Sequence, residues 1–207
     1  MDWTKHDSDL RMWEETPVNT YLDDTYKAFV DSIVPRSPEL GELYGMIQYY
    51  GALDFDTDEY LIMSMNSLDV PLADIGAEIL NTAARQYFYE RDGEENVDSS
   101  AGETYFAKLT MDERLAVMAI LLGPDRINYF PVQENFGLEE ILPIFPIMNR
   151  LTFMGYYSEW WGYGSTRSLP PNQRVLEYFP GSWEQVGYPG PSLGYRAARS
   201  YNYTAGM

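Results

Sequence analysis

From residue 20 to residue 156 the apolar residues of this chain recur at helical spacing, and prolines cut the pattern into short lengths. In TYLDDTYKAFVDSIVP the apolar set is Leu22, Tyr26, Phe29, Val30 and Ile33, and Pro35 and Pro38 stop the helix. Residues 39–53 are expected to continue as a short helix, with Leu40, Leu43, Tyr44 and Ile47 on one side. Asp69-Val70-Pro71 should open a longer helix, because proline suits a first turn. Its repeat of Leu72, Ile75, Ile79, Ala83 and Tyr87 runs to about Tyr89. The polar, acidic stretch RDGEENVDSSAGE reads as a loop.

FAKLTMDERLAVMAILLGP carries the cleanest helix signal. Thr110 and Glu113 form a capping box, Leu115, Met118, Ala119 and Leu122 make the expected buried face, and Gly123-Pro124 ends it. FGLEEILPIFPIMNRLTFMGYY divides at its prolines into a short helix to about Leu142 and a second over 146–156. The fold class is therefore mainly α: a helical-bundle-like domain over 20–164, preceded by an arm over 1–19 that Trp3 and Trp13 could dock. A long irregular tail over 165–207 comes last, rich in Pro, Gly and aromatic residues, with only a short turn expected at 171–178.

Composition narrows the chemistry. The 207 residues suffice to bury a sizeable core, and 45% apolar with 15% aromatic residues argues against disorder. There is no cysteine, which excludes disulfides, thiolate metal sites and cysteine nucleophiles. The single histidine, His6, lies in a polar terminal stretch unsuited to holding catalytic geometry. A net charge of −18 argues against nucleic acid, which needs a basic stripe. The charge is uneven: the first 140 residues hold 29 acids and 9 bases, and the remainder holds 3 acids and 5 bases. The neutral part reads either as a covered lobe or as a protein interface, whose core loses charge and gains Tyr, Trp and Arg. MDWTKHDSDLRMWEE has no charged-then-apolar pattern and no twin arginine, and no window holds the roughly 18 apolar residues of a spanning helix. The expectation is a cytoplasmic chain without a transmembrane segment; export or surface association would come with a partner.

Asp54, Asp56 and Asp58 alternate as in a calcium loop, but Glu59 stands where glycine is needed and Met65 where a bidentate glutamate is needed. Helix capping by Thr57 or Asp58 is the better reading. In YYSEWWGYG the adjacent Trp160 and Trp161 point apart in any regular conformation, so at most one is expected in the core and the other is a candidate anchor. Glu159, with Glu177 or Glu184, raises the weaker reading of a carboxylate pair acting on sugars. In the tail, Arg196 and Arg199 stand among tyrosines, suited to cation–π contact and carboxylate capture from a partner or from the chain's own acidic body. Asn202-Tyr203-Thr204 matches a glycosylation sequon, relevant only to a secreted context. No nucleotide-binding glycine loop is visible, so no cofactor site is expected in this chain.

In this order, YKAFVDSIVPRSP, FAKLTMDERLAVMAILL, FMGYYSEWWGYG and WEQVGYPGPSLGYR resemble the gluconate 2-dehydrogenase subunit 3 family. The resemblance covers roughly half the chain, and the tail pattern is its most specific part. It implies a small, helical, non-catalytic accessory or assembly subunit of a flavin-dependent oxidoreductase of the glucose–methanol–choline type, which oxidises sugars or sugar acids. The FAD and the catalytic residues would belong to the larger partner. The chain departs from the family at its N-terminus, where the twin-arginine leader is missing. Under this reading Trp160, Trp161, Tyr163, Trp183, Tyr188, Tyr195 and Arg196 are the candidate partner-interface residues, and none is catalytic. Two other readings compete: a self-assembling homo-oligomeric protein of a cell or spore surface, and, with less support, a carbohydrate-binding module.

Overall fold

The computed structural model describes residues 20–92, 103–123 and 136–190. The expected arm with Trp3, His6 and Trp13, most of the acidic loop, and Tyr195, Arg196, Arg199 and Asn202 lie outside the described residues. The described residues are mainly helical, with no strand.

Helix α1 spans Thr20–Ile33, as its apolar spacing predicts, and buries Tyr26, Phe29 and Val30 on one face. Helix α2, Pro38–Tyr44, starts on a proline, which needs no amide partner there. Two 3-10 turns come next, over Met46–Gln48 and Ala52–Phe55. Helix α3 is Thr57–Asn66 and helix α4 is Ala73–Asp92. The single turn α5, Tyr105–Lys108, precedes α6, Met111–Leu121, at whose start the Thr110–Glu113 capping box is formed as expected. Helices α7, Leu138–Ile141, and α8, Ile144–Tyr157, divide at Pro143; Pro146 sits in the first turn of α8, where its missing N–H costs nothing.

Helix α1 packs on α3, α4 and α5; α3 packs on α8, and α4 on α5 and α6. Tyr26, Phe29, Leu61, Met65, Ile79, Leu80, Phe106 and Met148 fill the junction. Two polar groups lock it. The Tyr26 hydroxyl donates to the carbonyl of Ala73 at 2.7 Å. Buried Asn81 donates to Thr25 Oγ1 and to the carbonyl of Ala77, and accepts from the amide of Phe106. It thus ties α1, α4 and α5 with its donors and acceptor used, the condition under which a buried amide stabilises a core. Gly76 on α4 lets Tyr26 and Met148 come close: a Cβ there would lie 2.5 Å from the Tyr26 hydroxyl and 2.9 Å from Met148 Sδ.

One helix extent and one expected face are corrected. In 39–53 there is no single helix, because α2 stops at Gly45, whose φ of 97° ends the turn. Its inward residue is Gly41, pressed on the Tyr49 ring, while Leu40 is exposed and Leu43 and Tyr44 are 75% and 73% exposed. The side chain of Ile47 lies outside the described part. On α6 the buried stripe is Val117, Met118 and Leu121; of the expected face Met118 is inside, but Leu115, Ala119 and Leu122 face outward. The reason is Arg114. Its stem lies on the inner face, and its guanidinium donates to the carbonyls of Ala107 and Ala28, so the stripe begins at an arginine and turns by one residue.

The triple aspartate does not cap α3 with a side chain. Asp56 takes the N-cap position in a left-handed conformation with φ 49° and makes no side-chain cap bond. Thr57 and Asp58 lie inside the first turn and are buried. Asp54 instead accepts from the amide of Gly51 and pairs with Arg36, and Asp56 pairs with Arg167.

The turn expected at 171–178 is present in part, and one short helix was not expected. A 3-10 turn covers Trp161–Thr166, another covers Pro171–Gln173, and helix α9 spans Gly181–Val186.

Candidate functional site

The candidate site is the lobe built from the end of α8, the segment after it, and α9. It starts from two indoles that point into the body. Trp160 is 3% exposed and donates through Nε1 to the carbonyl of Asp56 at 2.8 Å. Its ring meets Tyr60, with centroids 5.6 Å apart, and the guanidinium carbons of Arg167 and Arg174 lie 5.8 and 5.7 Å from it. Arg167 is held there by Asp56 and by Glu59 at 2.9 Å, and Arg174 donates through Nε to the carbonyl of Leu169. Trp183 is 6% exposed and donates to the carbonyl of Tyr157 at 2.7 Å. Each buried indole therefore has the hydrogen-bond partner that its burial requires.

Of the two neighbouring tryptophans one is buried, as expected, and the other is not. Trp161 is half-buried, between Phe55 and Tyr178, with centroid separations of 5.5 and 5.8 Å. Phe55 in turn meets Tyr50 and Tyr156. The Tyr156 hydroxyl donates to the carbonyl of Tyr50, and burial pushes its pKa up to about 12. A second stack runs Phe179–Trp183–Tyr188, with centroids 5.8 and 5.0 Å apart. The returning chain is pinned by the amides of Glu177 and Tyr178, which both donate to the carbonyl of Gly162. The lobe is thus a rigid support. Among its exposed residues are Val175, Leu176, Tyr178, Phe179 and Tyr188.

Of the candidate interface residues, Trp160 and Trp183 lie in the interior and support the lobe rather than face out from it. Trp161 and Tyr163 are half-buried, and Tyr188 is exposed. Tyr195 and Arg196 lie outside the described residues. Sequence reasoning missed Leu176, Tyr178 and Phe179, although LEYFP carries their signal: four apolar or aromatic residues around a single charge.

The carboxylates of this region have local duties. Glu159 accepts from the Tyr163 hydroxyl at 3.0 Å. Glu177 accepts from the side chain and amide of Ser165, and these bonds hold it below the usual glutamate range, the reverse of what a general acid needs. Among the described residues no three acids or histidines are placed to hold a metal ion, and no helix is long and apolar enough to cross a membrane. Comparison with family models, with curated proteins and with solved structures finds no match to this chain.

Proposed function

We propose that this chain is a non-catalytic accessory subunit that docks through its aromatic lobe on a larger flavin-dependent sugar or sugar-acid dehydrogenase. The observation that carries the reading is the exposed set Val175, Leu176, Tyr178, Phe179 and Tyr188, held on a scaffold of two hydrogen-bonded buried tryptophans. Exposed apolar surface on a rigid support marks a protein contact, because a mobile one would pay ordering entropy on binding. Residues 141–190 also carry as many basic as acidic side chains, in a chain whose net charge is −18. Interface cores are depleted in charge and enriched in Tyr, Phe and Trp in this way. The flavoprotein as partner comes from the family resemblance of the four segments YKAFVDSIVPRSP, FAKLTMDERLAVMAILL, FMGYYSEWWGYG and WEQVGYPGPSLGYR.

The test is gentle purification of the tagged chain from its native cells, followed by mass and visible spectrum. Elution with a larger chain and flavin absorption, bleached by a sugar or sugar acid, supports the reading. A colourless chain that elutes alone defeats it. A colourless ladder of its own multiples defeats it in favour of self-assembly through the same lobe.

A further inference from the structure

A second exposed apolar face lies beside the lobe. Leu40, Leu43, Tyr44 and Met46 project from α2 and the 3-10 turn after it, and all four are exposed. Glu39 and Glu42 flank this face on α2 and form no ion pair with any described residue. The face adjoins α9, because Gln185 Nε2 donates to the carbonyl of Met46. The chain leaves the described residues at Gly190, which sits beside the Trp183 and Phe179 rings at the edge of the same region.

The segment after Gly190 has the complementary chemistry. Residues 191–207 contain Arg196 and Arg199, no acid, and the apolar or aromatic Leu193, Tyr195, Tyr201 and Tyr203. Seventeen residues reach at most about 56 Å when extended, and α9 already touches the turn after α2 through Gln185 and Met46. We propose that residues 191–207 fold back within the same molecule and cover the α2 face, with Arg196 and Arg199 meeting its acidic rim. The covering segment belongs to the same molecule for two reasons. A tether of this length gives a millimolar effective concentration, which a second copy does not reach in solution. Two bodies of this acidity also repel one another. The contact assigns Tyr195 and Arg196 to the chain's own fold and leaves Tyr178, Phe179 and Tyr188 for a partner. It does not rest on the flavoprotein reading.

The absence of native cysteine makes the test direct on the full chain. Leu43→Cys is combined with Tyr195→Cys, the protein is oxidised under dilute conditions, and products are sorted by mass. Leu43 is largely exposed, so the substitution leaves the core untouched. The expected product is an internal disulfide formed at least ~10-fold faster than in a Leu115→Cys, Tyr195→Cys control, whose first position lies on α6. Arg196→Glu with Arg199→Glu should slow it severalfold, as should high salt. A rate equal to the control overturns the proposal. So does a disulfide-linked dimer, which would place the tail on a second copy, or an internal crosslink indifferent to charge reversal.

Discussion

Trp160 Nε1 donates to the backbone carbonyl of Asp56 at 2.8 Å, joining positions 104 residues apart in sequence. The bond fastens the aromatic lobe to the start of α3, where the same Asp56 is paired through its side chain with Arg167. The lobe is therefore fixed to the body by backbone, side chain and ring together. That is why it can present outward residues without being disordered.

Trp160→Phe removes this bond and part of a buried ring, and weakens the cation–π contact with Arg167 and Arg174. The Asp56 carbonyl keeps its bond from the amide of Tyr60, so it is not stranded. The expected cost is about 1–3 kcal/mol, read as a lowered denaturant midpoint with an unchanged slope. An unchanged midpoint would mean that the bond does not fasten the lobe.

Gly76→Ala tests the close approach of α1, α4 and α8. Alanine favours a helix over glycine by about 1 kcal/mol, but here its methyl would meet the Tyr26 hydroxyl and Met148 Sδ. Overpacking costs about 1–3 kcal/mol, so a net loss of stability is expected. Tyr26→Phe removes the obstructing oxygen and also its bond to Ala73. The double variant should therefore lose less than the sum of the single losses. Strict additivity would show that Tyr26 is not the obstacle.

Asp58 makes stability depend on pH. Burial is the main cause that raises its pKa to about 6; Glu59 and Asp23 add to the rise, while its own backbone amide and Lys27 oppose it. A carboxyl raised in the folded state binds its proton more tightly there than in the unfolded chain. The contribution is therefore fully present below about pH 4 and is lost as pH rises through about 6. By pH 7 to 8 the buried charge costs up to about 3 kcal/mol. Asp58→Asn should stabilise the protein at pH 8 relative to the native chain, and the difference should shrink towards pH 4. Comparing the two chains cancels the general relief of acidic repulsion at low pH. A difference in unfolding free energy that stays constant from pH 4 to 8 would remove Asp58 as the cause.

The long helices α1, α4, α6 and α8 were legible because their apolar residues repeat over several turns, and prolines and the capping box mark their ends. The inward face of α6 was not, because sequence reading sends a charged residue outward while Arg114 lies in the buried stripe. Helix α2 misled for the opposite reason: its apolar side chains are the exposed ones, and its smallest residue, Gly41, makes the packing contact. Helix α9 has only six residues, too few for a periodic signal. Of the tryptophan pair only Trp160 is buried, as the opposed directions of neighbouring residues predict, while Trp161 is half-buried against Phe55 and Tyr178.

The lobe's outward residues separate binding from folding. Phe179 and Tyr188 are about half exposed, and each touches Trp183 only along a ring edge. Replacing both with alanine removes only the buried half of each ring, so the thermal midpoint should fall by several degrees rather than collapse. If the lobe is the docking face, a central aromatic anchor is worth about 2 kcal/mol or more, roughly a 30-fold loss of affinity. The larger chain should then disappear from the purified tagged protein. Trp161→Ala provides the contrast: its ring packs on Phe55, and its loss should lower stability whether or not a partner exists. Should the Phe179 and Tyr188 variant unfold as Trp161→Ala does while association persists, these rings belong to the core. The docking face must then lie elsewhere, and the open outer stripe of α6 at Leu115 and Leu122 becomes the next surface to test.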